Sequence, residues 1–203
     1  MVMPRSALRP YHHGRLRQAV IEAAVQEVEA AGAGHLSMRE IARRAGVSHA
    51  APAYHFGDKA GIFTAIATEG FRLITERIAP VTGGPDGFIQ GGAAYVGFAV
   101  EHPGHFEVMF RPDLYRADDL DLIAARDAAF GVMVDSARAA VAAGEADDIT
   151  GLVVAGWSAA HGFATLWLHA NLQDKLGTDP AAFAATFAGG LVTLGEIARR
   201  QQL

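Results

Sequence analysis

The sequence contains no cysteine among its 203 residues, which excludes disulfide bonds and thiolate metal sites. It also lacks a run of about 18 consecutive apolar residues, so no membrane-spanning helix is predicted. Charged residues are few, at 19%, whereas apolar residues make up 51% of the chain. A chain of this composition buries a substantial core and is not intrinsically disordered. We therefore expect a folded, cytoplasmic protein.

Strand-like alternation of apolar and polar residues is missing as well, and helical spacing recurs in its place. Apolar side chains follow an i, i+4, i+7 and i+8 stripe from Gly14 to Ala31, and a second stripe runs from Phe63 to Ile78. Prolines and glycines separate the later helices. We expect these at 86–101, 104–110, 117–143, 147–170 and 180–201. The sequence predicts an all-α fold of about nine helices.

Two short helices joined by a glycine are predicted next to the first stripe. Ser37, followed three residues later by Glu40, forms a capping-box pattern that starts one helix. Gly46 permits a tight turn after it. Ser48 is placed to cap a second helix that ends at Phe56. This arrangement predicts a helix-turn-helix.

The second of these helices has a distinct outer face. Pro52 lies in its first turn, where the proline sacrifices at most one backbone hydrogen bond and offers its ring to the core. Phe56 is expected to face the same way. A recognition helix in the DNA major groove needs outward-facing residues. Those predicted to face outward are His49, Ala50, Ala53 and Tyr54.

Charge is unevenly distributed along the chain, although the net charge is only −5. Residues 1–60 carry eight Lys and Arg against five Asp and Glu, whereas residues 61–203 carry nine against seventeen. A basic front joined to an acidic body indicates that a polyanion binds at one end only. An excess of three positive charges is also small enough to be a chance fluctuation.

Residues 14–63 resemble the tetracycline-repressor (TetR) family of transcriptional regulators. The resemblance rests on the segment LSMREIARRAGVSHAAPAYHFGDKAGIF, with AGVS at the turn, YHF at the end of the short helix and a lysine three residues past Phe56. It implies an N-terminal three-helix DNA-binding domain with a basic arm over residues 1–60. Residues 61–203 would then form a C-terminal helical bundle that binds an effector and dimerises.

The resemblance also implies which residues contact DNA. Hydroxyl, imidazole and ammonium groups would bind phosphates, and the start of the short helix would approach base edges. Family members usually carry an aromatic residue where this chain has Ala53; here Tyr54 either takes over its phosphate contact or that contact is absent. Arg39 either binds a phosphate or lies on a solvated face. The predicted DNA-binding residues are Ser37, Arg39, Ser48, His49, Ala50, Ala53, Tyr54, His55 and Lys59.

An effector site among the fifth to eighth helices is a further implication of the resemblance. The stretch GWSAAHG is similar to a Trp-His-Gly (WHG) subfamily, here Trp157, His161 and Gly162. His161 is interpreted either as a hydrogen-bonded core histidine or as a polar handle for a small apolar or aromatic effector. The candidate pocket residues are Phe98, Phe106, Met109, Phe110, Phe130, Met133, Trp157 and His161.

The last two long helices are dense in small and apolar residues, which leaves more apolar surface than one small domain can bury. A symmetric helix-pair dimer is therefore predicted. Such a dimer would hold two recognition helices roughly 34 Å apart, as a palindromic operator requires. The candidate interface residues are Ala160, Phe183, Phe187, Leu191 and Leu194.

Three functions remain open on the sequence, of which a ligand-responsive repressor is favoured. A DNA-binding dimer without an effector is the second. A metal-sensing regulator that uses His102 and His105, near Glu101 and Glu107, is the third. Pro103 interrupts helical spacing between the two histidines, and no third ligand follows by spacing, so no metal or cofactor is predicted. No GxSxG or phosphate-binding glycine loop occurs, and an enzyme is not predicted.

Overall fold

The computed structural model describes residues 9–84, 86–141, 148–170, 172–177 and 180–201. Within these ranges every regular element is helical, which confirms the predicted all-α fold. Nine α-helices have six residues or more, and a tenth is a single turn. They are α1 (Arg9–Ala31), α2 (Met38–Arg44), α3 (Ala51–Phe56), α4 (Lys59–Ile78), α5 (Gly87–Glu101), α6 (Pro103–Met109), α7 (Leu120–Ala140), α8 (Ile149–His169), the single turn α9 (Gln173–Leu176) and α10 (Pro180–Gln201).

The chain forms two compact units, and their boundaries fall inside α4, α6 and α7. Unit 1 combines the chain up to Gly70 with Gly104–Ala124. Unit 2 combines Phe71–Pro103 with the chain from Ala125 onward. The functional division at residue 60 stays a prediction.

The core of unit 1 lies between α1 and the two short helices that follow it. Val20 and Ala24 of α1 are fully buried, as is Ile41 of α2. An ion pair of 2.8 Å from Arg44 Nε to Glu27 Oε2 also joins α2 to α1. Helix α1 begins at Arg9, five residues before the predicted start. The apolar stripe begins only at residue 16, so the polar first turns carry no periodic signal.

The predicted cap of α2 is confirmed, whereas that of α3 is wrong. Ser37 Oγ accepts the Glu40 N–H at 3.4 Å. Helix α3 begins at Ala51, after an N-cap residue, Ala50, that makes no side-chain cap. Ser48 contributes only its backbone carbonyl, which accepts the Ala51 N–H at 3.0 Å. The later start places proline at the second helical position, where no intrahelical N–H bond is lost.

Helix α4 carries the second apolar stripe of the sequence. The Gly61 N–H donates to Asp58 Oδ1 at 2.9 Å, so Asp58 caps the start of the helix. The helix ends at Ile78, and a 3₁₀ turn containing Pro80 follows it. The predicted apolar stripe is buried along its whole length, at Phe63, Ala67, Phe71, Ile74 and Ile78.

In unit 2, α5 packs against both α8 and α10. Gly156 allows α8 to approach α5 closely, because a Cβ at this position would lie 2.5 Å from the Phe88 ring. Pro103 was expected only to end a helix, but it is the first residue of α6. The first position of a helix tolerates proline because its N–H has no intrahelical partner.

Helix α8 is long and apolar enough by composition to cross a membrane, with a mean hydropathy of 1.3 in its 18-residue window, and it is the single such helix in the described ranges. The same helix packs against α5 and buries Val153, Phe163 and Trp167. Core helices of helical bundles behave in this way. The hydropathy of α8 is therefore no indication of a membrane span.

Replacing Gly61 by alanine is expected to destabilise unit 1. A Cβ at Gly61 would overlap the carbonyl oxygen of Phe56 and lie 2.8 Å from Arg116 Nη1. Overpacking of this kind costs about 1–3 kcal/mol in the free energy of unfolding. Gly131→Ala in α7 is the matched control, since no atom lies within 4 Å of its Cβ position. That change should stabilise by about 0.5–1 kcal/mol. Urea unfolding measures both, and equal shifts would contradict the close contact at Gly61.

Candidate nucleic-acid interface and ligand cavity

Helix α3 presents its outer face as the sequence predicts. Pro52 and Phe56 are buried, whereas Ala53 and Tyr54 face solvent. Tyr54 is 79% exposed, which is unusual for so large an apolar side chain. The predicted base-contacting residues that precede the helix are exposed in the turn before it: His49 and Ala50.

Phe56 anchors this short helix against α1. The Arg17 guanidinium lies over the Phe56 ring, 5.2 Å from its centroid, in a cation–π contact. On the other side His55 meets Phe56 edge-on at 6.4 Å between centroids, and Tyr54 meets His55 at 5.1 Å. The three rings therefore form a continuous row whose outer end, Tyr54, reaches solvent.

Helix α2 brings three arginines close to this surface, and two of them are engaged within the protein. Arg43 bonds the Glu40 carboxylate, and Arg44 bonds Glu27. Arg39 is exposed and makes no ion pair with any described residue. Ser37 is half-buried, and because its oxygen accepts the Glu40 N–H, its own O–H group is left to donate.

Lys59 is the exposed first residue of α4. Its ammonium therefore stands at a helix N-terminus, where the helix dipole and the unsatisfied N–H groups attract anions. Asp58, just before it, is the acidic residue that would oppose such attraction. A hydrogen bond from the Gly61 N–H, together with the Arg116 guanidinium, lowers the pKa of Asp58. The charge of this carboxylate is offset within unit 1.

Arg116 is the residue near this surface that sequence reasoning missed. Its Nη2 donates to Asp58 Oδ1 at 2.9 Å, and its backbone N–H donates to Thr64 Oγ1 at 3.0 Å. Asp58 and Arg116 stand 58 positions apart, and no motif or periodicity joins them. The segment after α6 therefore supplies the cation that pairs with Asp58, from outside the first 60 residues.

Unit 2 encloses a cavity of about 530 Å³, measured with its open mouth. Residues of α5, α7 and α8 line it, together with Ile78 of α4 and Thr82 after it. No charged side chain is among its described lining residues. The apolar walls are formed by Ile78, Phe88, Ile89, Met133, Val153 and Ala160.

A hydrogen-bonded row of three side chains stands at one wall of the cavity. Trp157 Nε1 donates to Tyr95 Oη at 3.2 Å, and Tyr95 Oη lies 2.8 Å from His161 Nδ1. Burial raises the pKa of the Tyr95 hydroxyl and lowers the pKa of His161. Both groups are therefore neutral near pH 7, and the direction of the hydrogen bond between Tyr95 Oη and His161 Nδ1 follows the histidine tautomer.

The structure brings only part of the predicted pocket together. Met133 and Trp157 line the cavity, and His161 is tied to it through Tyr95. His161 is thus a hydrogen-bonded histidine at the edge of the cavity. Sequence reasoning missed Tyr95 and Ser136 of the lining, because single polar residues inside apolar helices give no pattern.

Besides His161, five of the predicted pocket residues are not among the lining. The part of α6 that begins at Gly104, and the residue after the helix, belong to unit 1, where Met109 packs against Gly70. In unit 2, one of the five is buried in the core and another is 39% exposed at the surface of α7. The five are Phe98, Phe106, Met109, Phe110 and Phe130.

The predicted dimer residues also divide. Ala160 is 2% exposed and lines the cavity, so its methyl group lies inside the subunit rather than on its surface. Leu194 of α10 is 63% exposed. The side chains of the other three, Phe183, Phe187 and Leu191, lie outside the described residues.

The histidines considered for a metal are engaged elsewhere. His105 Nε2 lies 3.6 Å from Glu69 Oε1, and the His102 ring packs on Phe98 at 5.1 Å between centroids. In the part of the chain that the structure describes, no group of three His, Asp or Glu side chains is arranged to hold a metal ion.

Two family models match the sequence. One, described as bacterial regulatory proteins of the tetR family, matches residues 20–66, and the other, described as a tetracyclin repressor-like C-terminal domain, matches residues 88–191. The second alone spans half of the chain and includes Trp157, His161 and Gly162. No curated protein matches the sequence.

Solved structures share the fold over nearly the whole chain. A protein of unknown function from Rhodococcus sp. RHA1 is 30% identical, with a TM-score of 0.71 over 90% of this chain and 98% of that one. A bacterial regulatory protein of the tetR family from Rhodococcus RHA1 is 21% identical, with a TM-score of 0.70 over 86% and 93%.

NalD, the secondary repressor of the MexAB-OprM multidrug efflux pump in Pseudomonas aeruginosa, is 19% identical, with a TM-score of 0.59 over 90% of this chain and 96% of its own. Identities this low show the fold alone. The matched domains, by contrast, confirm the resemblance read from the helix-turn-helix. The chain belongs to the tetracycline-repressor (TetR) family and is a DNA-binding transcriptional regulator, not an enzyme.

Proposed function

We propose that this regulator is a homodimeric, cytoplasmic repressor that binds a palindromic operator and leaves it when a small apolar or aromatic effector binds. The observation that carries the proposal is the apolar cavity of unit 2. Ile78, which lines the cavity, is the last residue of the helix that begins with Lys59. The proposal therefore assigns the effector contact and the phosphate contact to the two ends of one continuous helix.

The exposed face of α3 supports the proposed DNA contacts. His49 can donate to guanine N7 or O6, and the methyl groups of Ala50 and Ala53 can meet a thymine methyl. Lys59 would bind a phosphate at the N-terminus of α4. The 79% exposure of Tyr54 supports its taking over the contact that an aromatic residue at Ala53 would make. Ser37, Arg39, Ser48 and His55 complete the proposed set.

Exposed apolar side chains on α8 and α10 support the proposed dimer. Five large apolar residues on these helices are 47–63% exposed, although soluble surfaces rarely carry such clusters. A two-fold pair of α8 and α10 would cover them and hold two α3 helices at the spacing of successive major grooves. The five are Val154, Leu166, Val192, Leu194 and Ile197.

The cavity has the lining of a small-molecule site, which is mostly apolar with a few polar groups. For release from DNA, the effector must bind better to the arrangement of the protein that does not bind DNA. A molecule that presses on Ile78 would shift the end of α4 and, with it, the position of Lys59. The α3 helices of the dimer would then leave groove register.

Lys59→Ala is expected to weaken binding to every DNA sequence alike, because a phosphate contact carries no sequence information. The slope of log K against log salt should become shallower by about one phosphate contact for each subunit of the bound dimer. Lys175→Ala, which removes the same charge from an exposed position on α9, is the matched control. Fluorescence anisotropy at several salt concentrations measures both. An unchanged slope for Lys59→Ala would contradict its place at a phosphate.

His49→Ala is expected to relax base preference at one position in each half-site, by about 1–3 kcal/mol of discrimination. Selection of bound duplexes from a random pool measures this, and the unmodified protein should select a palindrome. His35→Ala, at an exposed position outside the helix-turn-helix, should select the same sites as the unmodified protein. If His49→Ala and the unmodified protein selected identical sites, the proposed position of α3 in the major groove would be contradicted.

Leu194→Glu is expected to weaken the dimer, because it places a charge on the apolar face of α10. Leu120→Glu makes the same substitution at an 81% exposed leucine that lies on neither α8 nor α10, and it should leave the dimer intact. Sedimentation equilibrium measures the monomer fraction. A monomeric unmodified protein, or equal effects of the two substitutions, would count against the α8 and α10 interface.

A further inference from the structure

We propose that the effector of this cavity is an uncharged, largely apolar compound that carries one hydrogen-bonding oxygen, and that Ser136 of α7 binds this oxygen. The inference rests on the proposed function, because it concerns the same cavity. It adds the chemical class of the ligand and the residue that selects it.

Ser136 is a buried hydroxyl in an apolar wall. Its side chain lines the cavity, the residue is 3% exposed, and Oγ has no hydrogen-bond partner among the described residues. A buried polar group without a partner is uncommon in folded proteins and requires an explanation. The position of Ser136 in the cavity wall explains the missing partner, because a bound molecule can provide it.

Other hydroxyl groups on helices of this protein show the contrast. Serine and threonine inside helices commonly donate to the carbonyl four residues earlier. The three threonines of α4 that do so have Oγ1–O distances of 2.7 Å, and Thr82 at the cavity wall donates to the Ala79 carbonyl at 3.0 Å. Those hydroxyls are satisfied by their own backbone, whereas Ser136 is not. The three of α4 are Thr64, Thr68 and Thr75.

The ligand is uncharged because the lining offers no counter-ion. No Asp, Glu, Lys or Arg is among the described lining residues. Tyr95 and His161 are neutral near pH 7, since burial raises the pKa of one and lowers the pKa of the other. A carboxylate or an ammonium group would lose its hydration here without gaining a charged partner.

One oxygen is enough because the other polar groups of the wall already bond each other. Trp157 donates to Tyr95, and Tyr95 bonds His161. The Ser136 hydroxyl both donates and accepts, so alcohols, phenols and ketones all fit it. A hydrocarbon that fills the cavity offers Ser136 no hydrogen-bond partner and leaves the hydroxyl unsatisfied.

The test uses matched sets of three probes on one carbon skeleton: naphthalene, 1-naphthol and 1-naphthoate; biphenyl, 4-hydroxybiphenyl and biphenyl-4-carboxylate; decane, 1-decanol and decanoate. Titration calorimetry measures binding to the full chain without DNA. On each skeleton that binds, the alcohol or phenol should bind about tenfold more tightly than the hydrocarbon or the carboxylate.

Ser136→Ala tests the assigned residue. The substitution should reduce the preference for the alcohol over its hydrocarbon from about tenfold to about onefold, with the affinity for the hydrocarbon kept. Thr82→Val is the matched control, because it removes a hydroxyl of the same wall that is already bonded to Ala79. That variant should keep the preference. Thermal unfolding of both variants confirms that the fold is intact.

Three results would overturn the inference and leave the proposed function standing: a carboxylate that binds as tightly as its alcohol, a hydrocarbon that does so, or a preference that survives Ser136→Ala. Failure of all nine probes to bind would contradict the effector-responsive function itself and favour a DNA-binding dimer without an effector. The two failures are therefore distinct.

Discussion

The exposed face of α3, which is the proposed DNA-binding surface, depends on burial of the Phe56 ring. Helix α3 has six residues, too few to be stable in water without tertiary contacts. Phe56 and Pro52 fix one side of it against the core, and the Arg17 guanidinium lies over the Phe56 ring. Behind the helix, Gly61 lets α4 approach the Phe56 carbonyl. Because these contacts fix the inner side of α3, its outer side is fixed as well.

Close packing at a glycine shapes unit 2 as well, where it borders the cavity. Gly156 lets α8 pack closely against Phe88 of α5, and both residues line the cavity. Small residues such as Gly156 and bulky residues such as Phe88 thus surround a cavity that no side chain of the protein fills. The hydrogen-bonded row of Tyr95, Trp157 and His161 gives that space a polar edge without a charge.

The fold was predictable wherever local patterns act. Periodicity located the helices within a few residues, and the alternation of buried and exposed positions on α3 followed from Pro52 and Phe56. The predicted cap at Ser48 was wrong because Ser48, His49 and Ala50 offer several possible starts for the helix. Arg116 was beyond reach because a contact across 58 positions leaves no local signal. The lining of the cavity was beyond reach for the same reason, since it depends on which faces of four helices meet.

Helix α8 carries apolar side chains on more than one face, with Trp167 and Phe163 buried and Val154 and Leu166 about half exposed. Unless another surface covers these two residues, a single copy of the chain exposes their apolar side chains to water. Newly synthesised copies meet this hazard first, when few others are present. In the proposed dimer these residues are covered only after two copies meet, so the solubility of new chains would depend on their concentration as well as on folding.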